Sequence, residues 1–188
     1  MKLKSIIVFC AMTCLVAGLA AQEVQTRKIP DFTLTDIEGR TFNLSKNLGI
    51  GPIYVSFWAT WCKPCVEELK IIQKLYQKYE SRGFQVVAIN TEGPKASAKV
   101  KSFVKSYGFT FKILLDNDGE VFRRKFKGAA MPFTVLANAE GNIILSAVGF
   151  KPGDEVEIEK KIVENLISPP ETPAEPAPDT AGQSGSEQ

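Results

Sequence analysis

Apolar and polar positions along this chain fall into blocks whose spacing predicts the elements one by one. Residues 53–57 and 84–90 are nearly unbroken apolar runs, the pattern of strands covered on both faces. Between them Val66, Leu69, Ile72, Leu75, Tyr76 and Tyr79 recur at helical spacing until Ser81-Arg82-Gly83 stops the pattern. Strand, helix, strand in that order makes a parallel βαβ unit. Upstream, residues 32–35 and 40–43 read as a β-hairpin turning at Gly39, and residues 44–52 connect it to the first buried strand with Gly49 and Gly51 as breakers. Downstream, Val100, Phe103, Val104 and Tyr107 mark a second helix closed by Gly108, and residues 111–115 a third strand. Residues 120–126 read as a short helix, 133–136 and 143–146 as an antiparallel hairpin, and 154–166 as the closing helix.

Composition changes the picture mainly at the two ends. The 188 residues are 44% hydrophobic with 12 phenylalanines, enough for one domain with a substantial core. Lys2 and Lys4 precede an uncharged run over 5–21 that ends in small residues, the pattern of a signal peptide over 1–21. That run is shorter than the ~20 residues that span a bilayer comfortably, so membrane attachment is expected only if it stays uncleaved. Neither Cys10 nor Cys14 follows the small residue of a lipidation site. Residues 168–188 are dominated by Pro, Ala, Glu, Ser and Gly with no basic residue, and such a tail cannot bury enough surface to offset chain entropy. The domain is therefore expected over 22–167. Removing the leader takes two of 23 basic residues and none of 21 acidic ones, so no basic footprint for nucleic acid survives.

The chemistry-bearing stretch is Trp58-Ala59-Thr60-Trp61-Cys62-Lys63-Pro64-Cys65, between the first buried strand and its helix. Orphan N–H groups and the positive dipole end of a helix favour thiolate over thiol, and Lys63 adds a cation; such settings bring a cysteine pKa to about 3.5–7.5. Cys62, ahead of the helix, is the expected nucleophile, and Cys65, one turn inside, the resolving thiol that closes a redox disulfide Cys62–Cys65. A purely structural disulfide is the weaker reading, because so short a loop constrains the unfolded chain little. A structural zinc site needs about four ligands, and the chain has no histidine, so no metal or other cofactor is expected. Pro64 suits a helix start. Trp61 has three readings: shielding the disulfide, docking a substrate, or packing. Asp116-Asn117-Asp118-Gly119 lacks the further oxygen ligands of a calcium loop and reads as a turn.

Those residues resemble the active-site signature of the thioredoxin superfamily. Together with Ile29-Pro30-Asp31-Phe32-Thr33-Leu34, Gly39 and Ala130-Met131-Pro132-Phe133 in order, they resemble its exported TlpA/ResA-like branch over residues 29–166. The resemblance implies an α/β thioredoxin-like three-layer sandwich with an N-terminal β-hairpin and a central βα insertion. It implies an exported thiol–disulfide oxidoreductase in the bacterial periplasm or on the outer face of the cytoplasmic membrane, reducing a disulfide-bearing protein and supplied by a membrane thiol reductant. Pro64, as in thioredoxin-like reductants, favours the reducing direction. Pro132 is the expected cis-proline beside Cys62, with Met131 either an adaptable apolar contact for substrate or a core filler. Ser56 stands where thioredoxin carries a buried proton-transferring aspartate, so Cys65 needs another proton route. Glu92 lies near where ResA-like proteins place a carboxylate, and reads either as that shuttle or as an ordinary solvated loop residue.

Two other functions compete. A peroxiredoxin-type peroxidase expects threonine three residues before its cysteine, where Ala59 stands. A copper(I)-binding or metallochaperone-assisting module would use Cys62, Cys65 and Met131 as soft ligands, but lacks the histidine that usually completes such a site.

Overall fold

The predicted strands and helices form close to their expected ends in a computed structural model that describes residues 27–166. The strands are β1 (Thr33–Asp36), β2 (Thr41–Asn43), β3 (Ile53–Trp58), β4 (Gln85–Asn90), β5 (Lys112–Leu115), β6 (Phe133–Ala137) and β7 (Ile143–Val148). The α-helices are α1 (Lys63–Tyr79), α2 (Ser97–Tyr107) and α3 (Asp154–Asn165). All strands join one sheet in the order β2-β1-β5-β4-β3-β6-β7. The leader and tail expected at 1–21 and 168–188 lie outside the described residues.

The unbroken apolar runs occupy the middle because both their faces are covered. On β3, Tyr54 and Trp58 point into one core with Leu69 and Ile72 of α1, Val100 and Val104 of α2, and Ile158 and Ile162 of α3. Ile53, Val55 and Phe57 point the other way, onto Phe32, Phe42, Val121, Phe122 and Phe126. Burying a side chain such as Leu69 or Ile72, both fully covered, contributes about 1.5–3 kcal/mol. The second face is covered by a π-helical turn over Glu120–Lys125 and the N-terminal segment rather than by long helices. An ordinary short helix was expected there; Asp116 instead accepts the N–H groups of Val121 and Phe122, and Phe126 N–H reaches back five residues to Val121.

Sheet register positions the cysteine turn. β3 runs parallel to β4, with Trp58 opposite Asn90, and antiparallel to β6, with Phe57 opposite Phe133. The turn leaving the C-terminal end of β3 is thus flanked by the residues after β4 on one side and those before β6 on the other.

Candidate active site

Cys62 is the N-cap of α1, with extended backbone at φ −85° and ψ 94°, and Lys63 and Pro64 open the helix. The turn is closed by Cys62 N–H donating to Ala59 O at 3.0 Å. Cys62 and Cys65 are joined as a disulfide. Cys65 N–H donates to Cys62 Sγ at 3.3 Å, the capping bond that satisfies an orphan donor of the first turn. Cys62 retains 6% exposure and Cys65 none, so the two sulfurs are unequal in access. Trp61 is 67% exposed beside them and is therefore not packing the core, whereas Trp58 is fully buried. Lys63 and Pro64 are exposed.

Both flanks of the turn carry predicted site residues. Met131–Pro132 is cis; Pro132 is buried, and its carbonyl accepts Gly149 N–H at 2.8 Å. Met131 is half-buried and touches both cores, and its Sδ accepts the Thr91 hydroxyl at 3.3 Å. The loop after β4 and the loop before β6 therefore meet across the turn.

Glu92 is not a solvated loop carboxylate. Its side chain is 8% exposed. Oε2 accepts Thr60 N–H at 2.7 Å and Asn90 Nδ2 at 3.1 Å, while Oε1 accepts the Thr60 hydroxyl and Lys99 Nζ, each at 2.9 Å. Burial by itself raises its pKa, but the Thr60 N–H, Lys99, Asn90 and Thr60 hydroxyl bonds outweigh burial and hold the carboxyl below the usual range. A carboxylate bonded on both oxygens and held ionised suits a clamp on the cysteine turn better than either reading open from the sequence, proton shuttle or solvated loop residue.

The group that sequence reasoning missed is Glu68. It follows Cys65 by one helical turn and so shares its face of α1, and it is fully buried. Oε1 accepts the Tyr54 and Thr134 hydroxyls, each at 2.6 Å; Oε2 makes no hydrogen bond. Ser56 Oγ lies on the same side of β3 and favours the ionised form from nearby without reaching hydrogen-bond geometry. Burial dominates and pushes the Glu68 carboxyl up, only partly opposed by Thr134, Tyr54 and Ser56. The signal was present in the spacing: position 68 continues the buried series at 72, 75 and 79, and a carboxylate in such a series is conspicuous. Among the described residues no group of three or more His, Cys, Asp and Glu is placed to hold a metal ion.

Comparison with known proteins agrees with this geometry. A family model described as AhpC/TSA matches residues 26–146. The chain is 30% identical over 131 residues to the thiol–disulfide oxidoreductase ResA of Bacillus thuringiensis subsp. konkukian, covering 70% of this chain and 73% of that one. It is 34% identical over 128 residues to ResA of Geobacillus kaustophilus, covering 68% and 71%. Among solved structures, a putative thiol:disulfide interchange protein DsbE from Chlorobium tepidum superposes with a TM-score of 0.68 at 31% identity, covering 75% of this chain and 96% of that one. The thioredoxin-like α/β fold expected from the sequence is thereby shown.

Proposed function

We propose that this chain, which belongs to the AhpC/TSA family and is a thiol–disulfide oxidoreductase, works outside the cytoplasm as a reductant of protein disulfides. The observation that carries the direction of attack is the inequality of the two sulfurs: Cys62 caps the helix and reaches the surface, while Cys65 is sealed beneath it. In the reduced protein the Cys62 thiolate, stabilised by Cys65 N–H and the helix N-terminus, opens a substrate disulfide and forms a mixed disulfide. Cys65 then attacks Cys62 Sγ, the bond to substrate breaks, and the second substrate thiolate leaves. The pair is oxidised by two electrons and the substrate reduced by the same two.

Cys65 must lose a proton before it attacks, and it has no exposed surface through which to lose it. We assign that proton to Glu68, a buried carboxyl on the same helix face with one oxygen uncommitted. Exposed Trp61 offers an apolar platform to the incoming chain, and half-buried Met131 stands in the loop ahead of β6. Reduction rather than oxidation is supported by Pro64 within the motif, and export by the leader pattern of the sequence. A membrane thiol reductant upstream would restore the dithiol.

The test is turnover of a protein disulfide by the reduced chain, with mass spectrometry of the trapped species. Cys62→Ser should abolish activity. Cys65→Ser should accumulate a mixed disulfide on Cys62 without turnover. Accumulation in Cys62→Ser instead would reverse the assignment.

A further inference from the structure

Glu68 needs its own exchange with solvent, because a buried carboxyl that takes a proton in each cycle must give it up before the next. A cleft of about 340 Å³ lies between β7 and the start of α3, and Tyr54 and Thr134 form part of its wall. At roughly 30 Å³ per water, it has room for several. Neither cysteine, nor Trp61, nor Met131 and Pro132 lines it, so it opens apart from the surface where substrate meets Cys62. Tyr54 and Thr134 are the two residues whose hydroxyls bond Glu68 Oε1, and those hydroxyls lie 3.4 Å from each other. One pair of residues, both almost fully covered, therefore lines the cleft and bonds the buried carboxyl.

We propose that this cleft is the proton port of the resolving cysteine, with Tyr54 and Thr134 relaying between cleft water and Glu68 while substrate covers Cys62. A hydroxyl donates and accepts together, so a proton arriving at Tyr54 or Thr134 from Glu68 releases that hydroxyl's own proton into the cleft. When Cys65 gives its proton to Glu68 and attacks Cys62 Sγ, the substrate thiolate departs at the front and the proton departs at the back. Re-reduction returns a proton along the same path. The charged groups of the cleft are Lys151, Asp154 and Glu157. Asp154 acts on the Tyr54 hydroxyl through its charge, and its own Oδ2 accepts Lys151 N–H at 3.0 Å. Ser56 faces Glu68 from β3 but does not line the cleft. The inference rests on Glu68 being the base for Cys65.

The experiment uses the reduced full-length chain and a symmetric nitroaryl disulfide whose two thiolates are coloured. The first colour phase reports attack by Cys62, the second closure by Cys65. Ala147 lies opposite Thr134 in the sheet, lines the cleft and is exposed, so Ala147→Phe should plug the port without touching the relay. Tyr54→Phe with Thr134→Val removes the relay and leaves the cleft open. Each should slow the second phase about tenfold, less than the roughly 10²–10⁴ of a whole acid–base group, change its pH profile, and enlarge its solvent deuterium effect. The first phase of Ala147→Phe should match the parent. A second phase within about twofold of the parent at every pH in both variants, while Glu68→Gln slows it, would overturn the port and leave Glu68 in its role. A second phase unchanged in Glu68→Gln would overturn that role and the port with it.

Discussion

Glu92 and Glu68 stand in different elements, one in the loop after β4 and one inside α1, and their surroundings pull their carboxyls in opposite directions. Glu92 has four donors on its two oxygens, two of them from Thr60 within the turn itself, and is held ionised. Glu68 has two hydroxyls on one oxygen, nothing on the other, no cation, and a carboxyl pushed up by burial. Glu68 lies deeper than Glu92, whose residue is only partly buried, but depth alone does not set the direction of the shift. The number and charge of the donors does. A carboxylate saturated by N–H and ammonium donors fixes backbone, whereas one held by neutral hydroxyls keeps a usable proton affinity.

The largest effect that would break this contrast is expected at Glu68. Glu68→Gln should lower turnover of a protein disulfide by about 10²-fold, at the low end of acid–base contributions. The same variant has a stability signature. A folded pKa raised above the ordinary value of 4.5 means that the folded chain favours the protonated form more than the unfolded chain does. Its contribution is therefore fully present at low pH and is lost as pH rises from about 4.5 through the raised value. Denaturant unfolding should show the parent losing stability relative to Glu68→Gln as pH rises above about 4.5. A constant gap would place Glu68 with the ordinary carboxylates.

Glu92→Gln should do the reverse. Its amide nitrogen cannot accept, which leaves Thr60 N–H or Lys99 unmatched at a covered site, and about 1–3 kcal/mol of stability should be lost near neutral pH. Because the folded pKa of Glu92 is lowered, its contribution exists above the ordinary 4.5 and disappears as pH falls through the folded value. Parent and variant should therefore converge in acid. Second-phase kinetics should change far less than in Glu68→Gln; an equal loss would return the shuttle to Glu92.

The smallest effect sharpens the cause. Lys99 is 60% exposed at its ion pair with Glu92, and such pairs contribute about 0.2–1 kcal/mol. Lys99→Ala should cost about that much, and raising the salt concentration should shrink the difference. A larger loss would mean that the ammonium, rather than Thr60 N–H, sets the acidity of Glu92.

How far each half of the comparison was legible follows from range. Glu92 is visible as a candidate through the resemblance to ResA-like proteins, but its four donors come from three segments, the turn at 60, β4 at 90 and α2 at 99. Ser56 was read correctly as unable to ionise. Glu68, to which we assign the Cys65 proton, is hidden in the sequence because the helix reads by its apolar positions and Glu68 stands among them as an exception. The expected helix at 120–126 failed more narrowly: the span was right, and Asp116 and the five-residue bond at Phe126 made it a π-helical turn.

What the sequence determined by itself was whatever depends on neighbours along the chain. Unbroken apolar runs make buried strands, helical spacing makes α1, and a cysteine pair at the junction makes Cys62 the cap and Cys65 the sealed partner; periodicity and capping act over a few residues. Only the tertiary structure decided which carboxyl is pushed up and which is held down. Glu68 owes its neutral surroundings to Tyr54 on β3 and to Thr134, brought next to it because β6 runs antiparallel to β3 and pairs Thr134 with Ser56. Proton affinity depends on every donor and on the water excluded around a group, and at Glu68 those are supplied by residues 14 and 66 positions away along the chain.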